Sequence, residues 1–525
     1  MRVLLIQPPI SDYYHTSIRT YPLGLLYLAE VIKQECEVKL LDLRTGFKPK
    51  EYNDSFFEDL SLYYRKDKYT PFSFFSKFYY FGMDKTLIKK KISEISPDLI
   101  CISSLFSSYF YEALEIAKIS KEINKEIPVL LGGNHSTCFP KQVLMNKEID
   151  FVIRGEGETP ILHLIGALKS RKGFNDIKGL CYKKADQITL SQINIEKNIN
   201  ITPARELLDA SKYKIGKDRY AFLISSRGCP KKCSFCGKPP YPFRKININT
   251  IKQDIEKCMS LGISHLDFED DMLTLDKGHF NDILNLLKDK KLTVTAMNGI
   301  YYENLDEAML YQMYLAGFRR LNISLVDLSP RVLGSQNRFF ANINSIIEAC
   351  DEKNFYTEIH FIIGLPGQRP LDVINTLIFL MEQRCLPAPS IFYLAPGSPI
   401  FESLKTHINL KALRSSYMIE LNPNFNRKNI YTLILLSRFI NFTKAFIDKY
   451  TDINYLSELP PLLADQENMI FSLLFNEKKF YAIDNNNKNL TAEPINRELV
   501  KIFFEKAKGR HIKGFKTKNR ILFDI

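Results

Sequence analysis

Short apolar runs that stop at Gly, Pro or acidic residues alternate with segments of helical spacing along most of the chain. Residues 3–6 form an apolar strand ending at Gln7-Pro8-Pro9, residues 22–32 carry helical periodicity, and residues 38–41 give a second strand. Residues 99–103 make a third, residues 129–131 run into Gly132-Gly133, and residues 151–153 run into Arg154-Gly155-Glu156-Gly157-Glu158. This alternation predicts an α/β unit with a doubly wound, Rossmann-like sheet over residues 1–165, in which ligands bind outside the carboxyl ends of the strands. Glycine at those ends suits a close backbone approach. No GxGxxG follows the first strand, so dinucleotide binding is disfavoured.

A second series begins after residues 177–190, which read as a hairpin about Ala185-Asp186 within a linker over 166–215. Strand-like runs fall at 266–268 (ending in Glu269, Asp270 and Asp271), 293–297, 320–325, 358–363 (before Gly364-Leu365-Pro366-Gly367) and 391–394 (before Pro396-Gly397). Helical stretches such as 249–261 and 305–316 lie between them, which predicts a partial parallel (β/α)6 barrel over 216–404 with its chemistry at the carboxyl ends of the strands. The region 405–525 reads as mainly helical, with periodicity over 429–450 and a basic helix over 501–508. Between residues 56 and 81, 12 of 26 residues are Phe or Tyr. They read as a helical cover packed on the sheet or as the wall of an apolar ligand site.

Composition adds limits. At 525 residues and roughly 150 per domain, the chain holds two to four domains, and 45% hydrophobic with 25% charged residues excludes a mainly disordered protein. The net charge of +13 invites a nucleic-acid reading, but residues 501–525 alone carry eight Lys or Arg against two acids, the pattern of a solvated helix face. Nucleic acid is therefore not an expected partner. No apolar run approaches the roughly 18 residues that span a bilayer, and Pro8 and Pro9 interrupt the start too early for a signal-peptide core. The expected compartment is the cytoplasm, where a tight cysteine cluster signals metal binding or catalysis rather than a disulfide.

One such cluster exists: Arg227–Pro239 reads RGCPKKCSFCGKP, placing Cys229, Cys233 and Cys236 in a CxxxCxxC spacing. Thiolates favour zinc, copper(I) or iron–sulfur clusters. A structural zinc site normally has four ligands, and no second cysteine pair follows, although a distant His could complete one. A [4Fe–4S] cluster on three cysteines leaves one iron open to a substrate.

These residues resemble the signature of the radical S-adenosylmethionine (SAM) enzymes, CxxxCxΦC, with Phe235 as the aromatic. The resemblance implies that SAM chelates the open iron and is cleaved to a 5′-deoxyadenosyl radical. It implies a SAM site of Phe235 beside the cluster, Glu269 and Asp270 at the SAM amino group, Gly364 at the adenine, Leu394 and Ala395 as backbone contacts, and Ser324 on the fourth strand. Where relatives carry Gly-x-Glu-Ser, this chain has Ser324-Leu325-Val326-Asp327, so the expected carboxylate is replaced by Val326 and Asp327 is the substitute one residue along. On the residues alone, an Asp after a strand is equally a helix cap and Gly-Leu-Pro-Gly equally a turn.

The runs PLGLLYLAEVI, SPDLICIS, GGNH and DFVIRGEGE resemble the cobalamin-binding domain fused in front of many radical SAM enzymes, the class B type of radical SAM methyltransferase. This implies cobalamin contacts at Pro8, Pro9, Ser103, Ser104, Gly132, Gly133, His135, Gly155 and Glu156. DxHxxG is absent, which implies a cobalamin held without a histidine from that motif. His135 either touches the cofactor or caps the next helix.

The implied activity relays a methyl group from SAM through cobalamin to an unactivated carbon of a small-molecule or peptide substrate, with a cytosolic electron donor such as flavodoxin or ferredoxin. The alternatives are a cyclase or rearrangement enzyme on the same cofactors, a methylthiotransferase using Cys36, Cys101 and Cys138 for a second cluster, and a non-enzymatic cobalamin sensor.

Overall fold

The chain was analysed as a computed structural model, which describes all residues except 14–19, 65–76, 185–186, 240, 301, 330–331, 333–342, 405–407, 451–452, 459–461, 467–468, 475–478, 484–494 and 516–525. The strand Arg2–Gln7 lies between Glu37–Asp42 and Leu99–Ser103, and Val129–Gly132 and Phe151–Ile153 follow outward, all parallel. In chain order this is a 2-1-3-4-5 sheet, whose winding reverses between the first and third strands, where such sheets open a ligand crevice.

Alternate residues supply the two cores. Leu4, Ile6, Ile100, Ile102 and Leu131 face the helix Phe110–Ile123. Val3, Leu5, Leu99, Leu130 and Ile153 face the helices Leu23–Ile32 and Glu158–Ser170. Burial on both faces explains why these strands read as unbroken apolar runs. The hairpin Leu180–Lys184 and Gln187–Thr189 extends the sheet antiparallel, and its turn at Ala185-Asp186 lies outside the described residues.

Six parallel strands follow: Asp218–Leu223, His265–Phe268, Thr293–Thr295, Arg320–Val326, Tyr356–Ile363 and Leu386–Ile391. The first three pair consecutively, as do the last three, and isolated bridges Val294–Phe318 and Ile300–Ile323 join the halves. Among the described residues no ladder closes the sixth strand onto the first.

The sixth strand lies ahead of the 391–394 run expected from apolarity, because Pro387 and Pro389 disguise it. Two residues apart, these prolines put their missing N–H groups on the same, unpaired edge, which is where a strand tolerates proline. The helix Arg427–Tyr450 covers that edge, Asn441 Nδ2 donating to Pro387 O at 2.8 Å.

The aromatic segment is not helical cover throughout: Ser55–Leu62 is a 3-10 helix, and Phe78–Phe81 is a strand paired with Ile10–Tyr13. Its described rings pack on one another, with Tyr13 at 5.9, 4.7 and 5.1 Å from Phe57, Tyr64 and Phe78. The rear region is also less helical than expected. Leu462–Gln466, Met469–Leu474 and Lys479–Ile483 form an antiparallel sheet, ahead of the helix Arg497–Ala507, whose Val500 and Phe503 are buried. No helix among the described residues is long and apolar enough to cross a membrane.

Candidate active site between two strand-end faces

The cysteine loop starts where the first barrel strand ends, and Asp270 fastens its root. Asp270 is 2% exposed and accepts hydrogen bonds from Ser225 N at 3.0 and 2.9 Å, Ser225 Oγ at 2.8 Å and Ser226 Oγ at 2.5 Å. Burial pushes its pKa up against those bonds. Buried and bonded to the root of the loop, Asp270 has a structural task at the position of the expected contact. Glu269, the neighbouring acid, is half-buried at the strand end, its own N–H donating to Leu223 O at 2.7 Å and its carbonyl accepting from Asn298 Nδ2 at 2.9 Å.

Beyond Ser225 the chain forms a neck, Ser226–Arg227 pairing antiparallel with Arg244–Lys245, from which the cysteine loop projects. Gly228, at φ +86°, lets the neck close: a Cβ there would stand 2.3 Å from Pro242 O. Cys236 N donates to Cys233 O at 3.1 Å, folding the last two cysteines into one turn. All three thiols are half-buried, and burial pushes those of Cys229 and Cys233 up. Each of these two lies in the electrostatic field of the other cysteines, with Lys231 and Lys238 beside them and Lys238 paired to Asp271.

Among the described residues no three His, Cys, Asp or Glu side chains converge on one metal position. Three thiolates from neighbouring positions of one loop are the donor number of a cubane that leaves one iron open. The donor set of three neighbouring soft ligands on one exposed loop fits the cluster.

Phe235 anchors this loop. It packs against the buried cluster of Leu365, Phe392, Leu394 and Leu413, which includes residues just past the fifth and sixth strands. Gly237 completes the seat: a Cβ there would stand 2.2 Å from Pro396 O and 3.1 Å from Ala395 Cβ, so only glycine allows the loop to lie on that turn.

Gly364 adopts φ +96°, its N–H donating to Gln368 Oε1 at 2.7 Å, while Gln368 Nε2 binds Ile362 O at 2.8 Å and Asp327. Asp327 is 1% exposed and also accepts from Ser329 N. It ties the fourth strand to the fifth and does not substitute for the absent glutamate. Val326 carries a different signal. The register shifts between Ser324 and Val326, and Val326 has φ +66°, a conformation that a β-branched residue adopts only when its surroundings impose it. The bulge leaves Ser324 exposed on the strand.

The front unit presents the opposing face. Ser104 N donates to Gly132 O at 2.7 Å, His135 N donates to Ser104 O at 3.1 Å, and Gly133, at φ +117°, crosses so close that its Cβ would stand 2.6 Å from Ser104 O. Gly132 borders open space. Ser104 Oγ, Asn134 Oδ1 and Ser136 Oγ are buried without a hydrogen-bond partner, and beside them Leu105 and Phe106 stand 55% and 52% exposed. Buried polar groups normally find partners, and large apolar side chains seldom face water together. Orphaned acceptors beside exposed apolar groups fit a large amphiphilic cofactor such as cobalamin.

Other expected contacts are placed elsewhere. Pro8 and Pro9 are buried at the end of the first strand, Pro8 O accepting from Arg44 Nε at 3.1 Å and Pro9 lying under Gly82. Ser103 is half-buried and ends the third strand. Gly155 at φ +88° is required by the linker, since its Cβ would stand 2.2 Å from Asn194 O. Glu156 turns toward the barrel, where Arg227 and Arg244 donate to it.

His135 is 1% exposed, sits 2.9 Å from Ser107 Oγ through Nδ1, and packs between Phe110 and Phe139 at 4.4 and 5.3 Å. Burial pushes its pKa down to about 3, which keeps the enclosed ring neutral. Because its folded pKa lies below the ordinary value of 6.5, its stabilising contribution is complete above that value. It is lost as pH falls toward 3, at up to about 1.4 kcal/mol per pH unit. His135→Gln is therefore expected to flatten the loss of stability between those pH values in urea titrations and to leave cobalamin absorbance unchanged.

The two faces meet. Asn134 Nδ2 donates to Gly237 O at 3.4 Å, Cys138 Sγ lies 3.7 Å from Pro396 O, and the Phe139 and Phe401 rings stand 5.7 Å apart. None of these contacts follows from sequence spacing, because the first joins residues 103 positions apart. Cys138 thus belongs to this junction, while Cys36 Sγ donates to Ile32 O at 3.3 Å and Cys101 is buried inside the third strand.

The comparisons agree with this arrangement. The B12-binding-domain family matches residues 79–165. An uncharacterised methyltransferase of Pyrococcus horikoshii is 28% identical over 391 residues, covering 72% of this chain and 77% of that protein. Cytidylyl-2-hydroxyethylphosphonate methyltransferase of Streptomyces wedmorensis is 25% identical, covering 70% of this chain and 73% of that protein. Among solved structures, the radical SAM methyltransferase TsrM of Kitasatospora setae, with cobalamin and a [4Fe–4S] cluster bound, shares the fold at a TM-score of 0.56 and 17% identity, over 76% of this chain and 74% of that one. With a B12-binding front domain, a cysteine-loop barrel and these relatives, the chain is similar to the cobalamin-binding radical SAM enzymes.

Proposed function

We propose that this protein is a cobalamin-dependent radical SAM methyltransferase acting on an unactivated carbon of a small-molecule or peptide substrate. The observation that carries the reading is the contact of the Gly132-Gly133-Asn134 strand end with the cysteine loop at Gly237. It sets the cofactor face of one sheet against that of the other. In such a site, reductive cleavage of SAM at a [4Fe–4S] cluster supplies the hydrogen-abstracting radical, and cobalamin supplies the methyl group.

The chain's own part is to hold and orient. Cys229, Cys233 and Cys236 hold the cluster, Phe235 pins their loop, and Gly364 with Leu394 and Ala395 shapes the SAM seat. Glu269 is the carboxylate assigned to the SAM amino group. Ser104, Gly132, Gly133 and Asn134 receive cobalamin, with Leu105 and Phe106 against its apolar surface. Residues 1–165 and 216–404 form the two cofactor-binding domains, joined by 166–215 and followed by 405–525. A cytoplasmic location and a flavodoxin or ferredoxin as electron donor complete the reading.

The test is product analysis under anaerobic turnover. S-adenosylhomocysteine and 5′-deoxyadenosine are expected to accumulate in step with a product heavier by one CH₂. A product that loses hydrogen with no added carbon assigns the protein to oxidative cyclisation instead.

A further inference from the structure

We propose that Glu156 is a positioning residue that fixes the distance and orientation between bound cobalamin and the cluster; this rests on the two-cofactor reading above. Glu156 follows the fifth strand of the front sheet, at the same edge as Gly132-Gly133, yet its side chain is only 8% exposed and points into the junction. It accepts Arg244 Nη1 and Nη2 at 2.8 and 2.9 Å and Arg227 Nη1 at 3.2 Å.

Those two arginines are opposite residues of the neck from which the cysteine loop projects, and Arg227 stands two positions before Cys229. One carboxylate of the cobalamin unit thus grips both strands of the neck. Glu158 takes the other side of Arg227 at 2.7 Å, and the Arg227 guanidinium lies over the Tyr27 ring at 4.9 Å. Glu156 is itself braced by Glu196 N at 2.6 Å. Burial alone pushes its pKa up, but the Arg244 hydrogen bonds and the Arg227 charge outweigh it and hold the carboxyl below its ordinary value, so it is ionised and both arginines stay paired.

The neck itself is a ladder of two residues per strand, too short to orient the loop unaided. Bidentate arginine–carboxylate pairs are directional, so this joint carries the orientation. A second buried ion pair, Arg205 with Asp254, makes its hydrogen bonds to Tyr21 Oη and Phe222 O and none to the neck, and serves as comparator.

The experiment uses the full chain, reconstituted anaerobically with iron, sulfide and hydroxocobalamin and reduced with dithionite, so that no substrate is needed. Pulsed electron paramagnetic resonance then reads the dipolar interaction between the reduced cluster and cob(II)alamin. Glu156→Gln is expected to retain about four irons and one cobalt per chain and to broaden the distance distribution. Glu156→Asp, which keeps the charge but shortens its reach, should broaden it less, and Asp254→Asn should lower thermal stability without broadening it.

A wild-type distribution in both Glu156 variants overturns the proposal. So does loss of cobalt alone from Glu156→Gln, which would make Glu156 a cofactor contact. Absence of methylated product from the wild type would instead contradict the methyl-transfer reading, leaving the distance measurement as the judge of the joint.

Discussion

Cys233→Ala is expected to leave a folded chain that retains cobalt, loses most of its roughly four irons, and forms no detectable 5′-deoxyadenosine from SAM and dithionite. Two cysteines cannot hold a cubane with one free iron, so the loss should be near total rather than graded. The fold should survive because the loop does not depend on its metal for its root. Asp270 secures Ser225 and Ser226, and Phe235 remains packed with Leu365 and Leu394. Iron and cobalt analysis with product chromatography checks both halves. Normal 5′-deoxyadenosine formation in this variant would remove the cysteine loop from the chemistry.

The second large effect is expected from Gly237→Ala. The added methyl group would stand 2.2 Å from Pro396 O, a backbone atom that cannot swing aside as a side chain can. The loop must lift from the turn after the sixth strand, taking Cys236 and the Asn134 contact with it. A displacement of about 1 Å at a reacting centre costs on the order of 10²-fold in rate, so SAM cleavage should fall by about that factor. Iron should fall less, because all three thiols remain. Gly166→Ala, in the helix Glu158–Ser170 with nothing within 4 Å of the new methyl, is the control and should leave cleavage unchanged.

Much of this architecture is readable in the sequence because its signals are local. The cysteine spacing, the unbroken apolar strands and the glycines at their ends depend on neighbours in the chain. What the sequence conceals is how polar side chains at those ends are used. Asp270, Asp327, His135 and Glu156 all occupy positions where a ligand contact is expected, and each is occupied by the protein itself. Asp270 finds Ser225 from 45 residues away, Asp327 finds Gln368 from 41 and Glu156 finds Arg227 from 71. Such pairings depend on tertiary placement, which no motif encodes.

The reverse also holds. The best evidence for a cofactor on the front face is the unpartnered oxygens of Ser104, Asn134 and Ser136, of which only Ser104 is among the contacts expected from sequence. The sixth strand is hidden by its prolines. The sheet over 462–483 escapes notice because short aromatic and aliphatic runs there are separated by only a few residues.

The account stands on the meeting of two strand-end faces, one for cobalamin and one for the cluster. Pulsed electron paramagnetic resonance on the wild-type protein, loaded with both cofactors and reduced, tests this without a substrate. The account predicts a resolved dipolar coupling between the reduced cluster and cob(II)alamin, with one defined distance. Two independent spectra with no mutual coupling, or a protein that takes up iron and rejects cobalamin, would contradict it.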